Sequence, residues 1–307
     1  MSEAKRSERR AGFLYALGAL GLWGLVLPIY IKALAAVPVV EILAHRILWA
    51  ALFTLVLLAL LGRLRTLGTV LVPRSLGLLV LSAALVTVNW VTYVVAVIND
   101  NLLAASLGYF LNPLVSIALG MLVLGERLRP RQLAACGIAA IGVLILAVAI
   151  RGVPWIALSL ALSFGCYGLV RKVVAVEALA GFTFEVGILA PVAAGYLLWL
   201  AATGRGAFAR AAPDLDLLLL GSGLVTALPL VWFAAAARKL PLTTIGLLQF
   251  TAPSAAFLLG VFVYGEPFGA AQAACFGCIW LALLVYSLDA LMGARATTLK
   301  APSAASD

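Results

Sequence analysis

The only histidine of the chain, His45, lies in the stretch Glu41-Ile42-Leu43-Ala44-His45-Arg46. On a helix, residues four apart share a face, so Glu41 and His45 meet. Arg46 lies about 100° further round at ~3.6 residues per turn. A carboxylate, an imidazole and a guanidinium so placed can form a gate, or an anion or proton site that changes partners between conformations. They can equally form a fixed ion pair near a membrane interface, with the long arginine snorkelling to water. An imidazole titrates at about pH 6.5 in water, which permits a proton role; the alternative is a structural imidazole satisfied by its neighbours. Glu185 is a second isolated carboxylate. Allowing a four-residue difference in loop length, it is the counterpart of Glu41. Either carboxylate could bind and release a proton, or act as the neutralised partner of a basic residue.

Amides and aromatics form the other group. Asn89, Trp90 and Tyr93 are close in sequence, with Trp90 and Tyr93 three apart and Asn89 four from Tyr93. Tyr109 and Asn112 stand just before Pro113, and Gln249 just before Pro253. A proline removes one backbone donor and frees the carbonyl one turn earlier. Within lipid that is tolerated where a neighbour or a cavity satisfies the freed group. Polar side chains beside both prolines therefore point to a central cavity. The alternative is that the prolines only bend helices to fit their bundle.

The elements that must position these residues follow from composition. The 307 residues are 65% hydrophobic and 11% charged, against roughly 45–50% and ~25% in soluble domains. That excludes an ordinary soluble fold and a disordered chain. Uninterrupted apolar runs such as Ile138–Ile150 and Phe276–Val285 exclude a transmembrane barrel, whose strands alternate. The expected fold class is an all-α polytopic membrane protein. Ten spans are expected, at about 12–35, 38–61, 75–98, 102–124, 132–150, 153–170, 181–202, 215–236, 241–264 and 268–290. The first is too long for the apolar core of a signal peptide. The tails 1–11 and 291–307 are read as cytoplasmic and solvated.

The net charge of +9 is read as loop anchoring rather than nucleic-acid binding. With the N-terminus inside, Arg6, Arg63, Arg127, Arg171, Lys172, Arg238 and other basic residues fall on the cytoplasmic side. Only Arg151, Arg205 and Arg210 fall outside. Cys275 and Cys278 have metal or redox spacing but lie in an apolar run without a second pair, so they are read as small filler. No metal or cofactor is implied.

A shift of 140 residues aligns the chain with itself. Phe110, Pro113, Gly120, Gly125, Glu126 and Gln132 meet Phe250, Pro253, Gly260, Gly265, Glu266 and Gln272, and Lys32 meets Lys172. Residues 12–150 and 153–290 are thus two units of five helices. Five is odd, so the second unit must cross the membrane upside down. The arginines record it: Arg127, Arg129 and Arg131 in one loop have no counterparts after Glu266. Glu126 and Glu266 are read as structural, at helix junctions. Inverted repeats of this kind build secondary transporters with a midplane site; a membrane scaffold is the alternative.

On these residues the chain resembles the RarD branch of the EamA-type transporters, in the drug/metabolite transporter superfamily. The matching stretches are Glu41-Ile-Leu-Ala-His-Arg46, Asn89-Trp90 with Tyr93, Ala105-Ser-Leu-Gly-Tyr-Phe-Leu-Asn-Pro113, Leu124-Gly-Glu-Arg-Leu-Arg-Pro130, Ser163-Phe-Gly-Cys-Tyr-Gly-Leu-Val-Arg-Lys172, Ala235-Ala-Ala-Arg-Lys-Leu-Pro-Leu242, Gly246-Leu-Leu-Gln-Phe-Thr-Ala-Pro253 and Leu259-Gly-Val-Phe-Val-Tyr-Gly-Glu-Pro267. The resemblance implies two inverted EamA repeats in a bacterial inner membrane, and a permease linked in that branch to chloramphenicol sensitivity. It implies a cavity lined by helices one, three, four, six, eight and nine. The residues that fit are Trp23, Asn89, Trp90, Tyr93, Tyr109, Asn112, Tyr167, Trp232 and Gln249. The second helix is not among those, which argues against direct contact between Glu41 and solute.

The function expected is a secondary transporter, an exporter by the resemblance, that moves a small organic solute by alternating access. Aromatic and amide lining suits an amphipathic or zwitterionic solute. Its partners are that solute, membrane lipid and, if Glu41 or Glu185 is coupled, protons. The alternatives are a membrane-embedded enzyme, disfavoured by the lack of clustered nucleophiles or metal ligands, and a structural or sensory membrane protein. No Gly-x-x-x-x-Gly-Lys-Ser/Thr loop occurs, so this chain does not drive transport by its own ATP hydrolysis.

Overall fold

In lipid a backbone has no water to bond to, so each apolar run closes its hydrogen bonds within itself as a helix. The computed structural model describes residues 3–99, 101–149, 154–210, 213–265 and 268–299. Ten of its helices are long and apolar enough to cross a membrane. They are α1 (Arg6–Ala33), α2 (Val39–Leu60), α3 (Pro73–Ala96), α4 (Ala104–Leu122), α5 (Pro130–Ala149), α6 (Trp155–Val173), α7 (Ala178–Thr203), α8 (Pro213–Lys239), α9 (Leu242–Phe262) and α10 (Ala270–Asp289). The expected spans agree to within a few residues. Both tails begin as helix: α1 extends back to Glu3 and α10 on to Leu299. The Glu266 junction, Pro267 and Arg151 lie outside the described residues.

The two repeats pack as inverted copies. α4 lies along α6, and its counterpart α9 along α1; α1 lies on α8, and α6 on α3; α5 meets α10, α2 meets α7 and α4 meets α9. Small residues set these crossings, because lipid tails are as apolar as leucine and close van der Waals approach is what favours one helix pairing over another. A Cβ on Gly165 would sit 2.6 Å from Val115, and one on Gly24 would sit 2.8 Å from Ala255. These contacts are equivalent to within one residue of the 140-residue shift. Gly120 faces Thr243 while Gly246 faces Ile117, so α4 and α9 run antiparallel, as counterparts in inverted repeats do.

The copies differ in the pairs α1/α6 and α4/α9, among other places. α1 winds into a π-helical turn at Leu22–Val26 just before Pro28, a distortion frequent at functional sites. α9 breaks into Leu242–Gln249 and Thr251–Phe262 around Phe250, whereas α4 carries Pro113 within an unbroken helix. Outward-facing leucines and valines, such as Leu122 at 84% exposure, form the lipid-facing surface.

Candidate functional site

Arg46 stands two turns into α2 and reaches inward. Its Nε donates to Thr226 Oγ1 on α8 at 2.9 Å, and Thr226 donates in turn to the Ser222 carbonyl at 2.8 Å. The guanidinium carbon is 5.8 Å from the Trp90 ring centroid. The phenols of Tyr30, Tyr93 and Tyr109 lie around it. The rings of Tyr93 and Tyr109 are 6.2 Å apart. The arginine does not reach a carboxylate: no acidic oxygen lies within 4.0 Å of it among the described residues. It opens instead onto a cavity of about 230 Å³ lined also by Ile31, Ile42, Leu43, Trp90 and Tyr93. The second helix, absent from the lining implied by resemblance, thus contributes the one charge that faces this space.

Deeper along α4, Tyr109 keeps 44% exposure although its helix packs against α6 and α9. One turn on, Asn112 is buried, with no partner for Oδ1. Gln249, at the break in α9, is buried with neither Oε1 nor Nε2 bonded. Both amides lie where the two repeats cross, next to Pro113 and Pro253. Buried polar atoms are bonded in the great majority of cases, and this pair leaves three of them without a protein partner.

The other expected lining residues are held in packing. Asn89 donates to the Leu160 carbonyl at 3.0 Å and to Ser163 Oγ at 3.1 Å, joining α3 to α6. Tyr167 is fully buried beside Phe164 and Phe233 and donates to Glu185 Oε2 at 3.3 Å. Trp23 meets Phe164 edge-on at 5.5 Å and Phe233 at 5.6 Å. Trp232 fills the space that a side chain on Gly18 would take. The last two are partly buried where α1 crosses α8.

The ionisable groups sort into three anchors. At the end of the bundle where α2 begins, Glu41 Oε1 accepts from the backbone N–H groups of Ala207 (2.7 Å) and Phe208 (3.4 Å). His45 Nε2 is 4.0 Å from the same oxygen, and Trp49 donates to His45 Nδ1 at 2.9 Å. Glu41 and His45 do share a face, and together they hold the α7–α8 loop. Tyr30 donates to the Leu218 carbonyl nearby. Near the opposite end, Glu185 is fully buried, accepting from Ser82 at 2.6 Å and Arg171 at 3.2 Å. Arg171, read above as a loop residue, is therefore a core residue; it also donates to the Ala178 carbonyl at 2.9 Å. α2 follows Pro38 and α7 follows Glu177, an offset of 139. No loop difference intervenes, so Glu185 matches the register of Arg46, or of His45 by the 140-residue shift, and not of Glu41.

The third anchor is Glu126. Its carboxylate accepts from the backbone N–H groups of Leu242 and Thr243 and from the Thr243 hydroxyl, each at 2.8 Å. Lys172 Nζ lies 3.6 Å away and donates to the Ala237 and Leu240 carbonyls. The expectation of a structural role at its own helix junction needs correcting in detail: Glu126 stabilises the start of α9, in the other repeat, where the helix dipole favours an anion. One cluster thus joins α4, α6, α8 and α9 at the end of the bundle remote from the Arg46 cavity. Sequence reasoning missed Ser82, Thr226 and Thr243 as partners. The pairing of Lys172 with Lys32 in the repeat was the signal that Lys172 matters.

The EamA-like transporter family profile matches residues 10–148. Protein RarD of Streptomyces exfoliatus is 46% identical over 302 residues, covering 97% of this chain and 95% of its own. Protein RarD of Escherichia coli is 43% identical over 292 residues, covering 95% and 98%. A Pseudomonas aeruginosa relative named chloramphenicol-sensitive protein RarD is 34% identical, covering 91% and 94%. A crystal structure 20% identical matches with a TM-score of 0.71 over 90% of this chain and 97% of its own, which shows a shared fold. Ten membrane-spanning helices and near full-length relatives lead to one assignment: the chain is a RarD-type permease and belongs to the EamA-like transporter family.

Proposed function

We propose that the protein is a secondary carrier that exports a small organic solute across a bacterial inner membrane by alternating access. The arginine-rich end, with both termini, faces the cytoplasm. The observations that carry this reading are two: the buried amides Asn112 and Gln249, left with unbonded atoms where the inverted repeats cross, and the Arg46 cavity in the first repeat, whose wall residue Tyr93 meets Tyr109 one turn before Asn112. The Glu126 cluster supports a state closed toward the cytoplasm, and the Arg46 cavity, in the other half, a state open outward. Exchange of the two closures between the repeats would move the site from one face to the other. That is the economy of an inverted duplication, because two copies of one helix bundle adopt each other's conformation. Export is the direction suggested by resemblance to the RarD branch.

The test is solute flux in proteoliposomes across a metabolite panel, comparing the parent protein with Asn112→Ala and Gln249→Ala. Both variants are expected to lose most of the flux of whichever solute the parent moves. Normal flux in both overturns the assignment of the solute path past these two amides. Proton coupling is read from the same vesicles. Glu185 is the better candidate of the two carboxylates, since it is a fully buried acid with a basic partner. If protons are coupled, Glu185→Gln flattens the dependence of flux on the pH gradient. An unchanged pH profile in Glu185→Gln and Glu41→Gln removes the proton from the mechanism.

A further inference from the structure

A guanidinium inside a membrane span is costly unless it is paired or functional. Arg46 differs in this from the buried acids of the bundle. Glu185 has Arg171, Glu126 has Lys172 and two backbone amides, and Glu41 has two amides and His45. Arg46 has one hydroxyl, that of Thr226, bonded through Nε only. Its two terminal amino groups have no hydrogen-bond partner among the described residues, and the side chain is part of the cavity wall. A guanidinium bonded through Nε and free at its tips presents a planar fork of N–H donors, the geometry that grips a carboxylate through two parallel hydrogen bonds.

From this fork we infer that Arg46 is the anion subsite of the carrier, and that the solute bears a single carboxylate with an apolar or aromatic remainder. The inference rests on the reading of the cavity as the solute path. Charge balance selects the monoanion. Among the described residues the one guanidinium is met by no anionic side chain, so a carboxylate neutralises it, whereas a phosphate dianion would leave negative charge unpaired in an apolar enclosure. The rest of the wall is Trp90 and Tyr93 with five aliphatic residues, Ile31, Val39, Ile42, Leu43 and Val94, which suits a hydrocarbon or ring attached to that carboxylate. The volume of about 230 Å³ falls below the ~300–1,000 Å³ typical of drug-sized pockets. It fits a solute of metabolite size. Thr226 orients the arginine from α8, so the subsite spans both repeats and would move when they rearrange.

The test uses the full chain in lipid nanodiscs. Trp90 lies against Arg46, so quenching of tryptophan emission reports binding there, with Trp90→Phe as the check on the signal. The probes are matched pairs of a monocarboxylate and its primary amide, namely isovalerate, phenylacetate and indole-3-acetate with their amides, plus phenyl phosphate. At least one acid is expected to bind roughly 10- to 100-fold tighter than its amide, the range for a hydrogen bond to a charged group, and tighter than phenyl phosphate. Arg46→Gln is expected to abolish that preference and Arg46→Lys to retain part of it. Thermal melting of each variant, together with uptake of the lipid-reconstituted protein into folded monodisperse particles, separates loss of the subsite from loss of the fold. The subsite is overturned if every acid binds no better than its amide, if phenyl phosphate binds tighter than all of them, or if Arg46→Gln keeps the preference. Solute exchange in proteoliposomes is measured in parallel. Exchange that is indifferent to charge refutes the subsite and leaves the carrier intact, whereas charge-selective binding without exchange upholds the subsite and refutes the carrier.

Discussion

Glu126→Gln should open the arginine-rich end of the bundle. The carboxylate accepts three hydrogen bonds at 2.8 Å from Leu242 and Thr243 and faces Lys172 at 3.6 Å. Glutamine keeps one acceptor oxygen and turns an NH₂ group toward donors, so one set of bonds is lost and the charge with it. The anion at the start of α9 contributes up to ~2 kcal/mol in a partly buried setting, and a hydrogen bond to a charged group about 1.5–3 kcal/mol. The terms overlap, so we take a combined loss of about 2–4 kcal/mol. At ~1.4 kcal/mol per tenfold, the closed-to-open ratio of this end falls roughly 30- to 700-fold. The assay is a spin-label distance between Arg127→Cys and Lys239→Cys, both exposed positions, with the four native cysteines replaced. The parent should give one short distance, and Glu126→Gln a longer population or a mixture. Lys172→Gln should shift the distribution less, because a partly exposed ion pair contributes only ~0–1 kcal/mol. An unchanged distribution in Glu126→Gln, with normal melting, refutes the reasoning that this cluster closes the end.

Three further outcomes follow from the same contacts. Glu185→Gln leaves Arg171 buried without a counter-charge and should destabilise the fold by about 3–5 kcal/mol, read as a lower melting temperature; Arg171→Met with Glu185→Leu should recover most of it, and failure of that rescue would point to a role beyond packing. Glu41→Gln should free the loop whose Ala207 and Phe208 amides it holds, so trypsin should cut at Arg205 and Arg210 several-fold faster, and equal rates would refute the anchor. Gly223→Leu should prevent folding, since any side chain there meets the backbone of Trp49 and Ala50; a folded variant would show that α2 and α8 can separate. Gly77→Leu, where nothing lies within 4 Å, should fold normally and serves as its control.

The polar residues divide unevenly between what was legible and what was not. Arg46, Trp90, Tyr93, Asn112 and Gln249 stood out because polar groups are expensive in hydrocarbon, and the structure places Arg46, Trp90 and Tyr93 around one cavity and leaves buried atoms of Asn112 and Gln249 unbonded. Asn89 stood out for the same reason, yet its amide is satisfied by α6. Asn89 and Trp90 are neighbours in sequence, about 100° apart on the helix, and that rotation alone separates a packing residue from a cavity residue. Arg171 shows the reverse: beside Lys172 at the end of a span it reads as a loop cation, and only its partners, Glu185 and the Ala178 carbonyl, make it part of the core.

The amino-acid order by itself determined that ten helices cross a bilayer and that two related sets of five stand in opposite senses. Apolar run length, charge spacing and self-similarity are local properties, and a bilayer converts them directly into spans. Which face of each helix meets a cavity, a neighbouring helix or lipid was decided only by tertiary packing. In helices that are apolar nearly all round, no stripe of hydrophobic residues announces the buried side. Close contacts such as Gly24 on Ala255 and Gly165 on Val115 fix the rotations instead, and they join residues far apart in the chain.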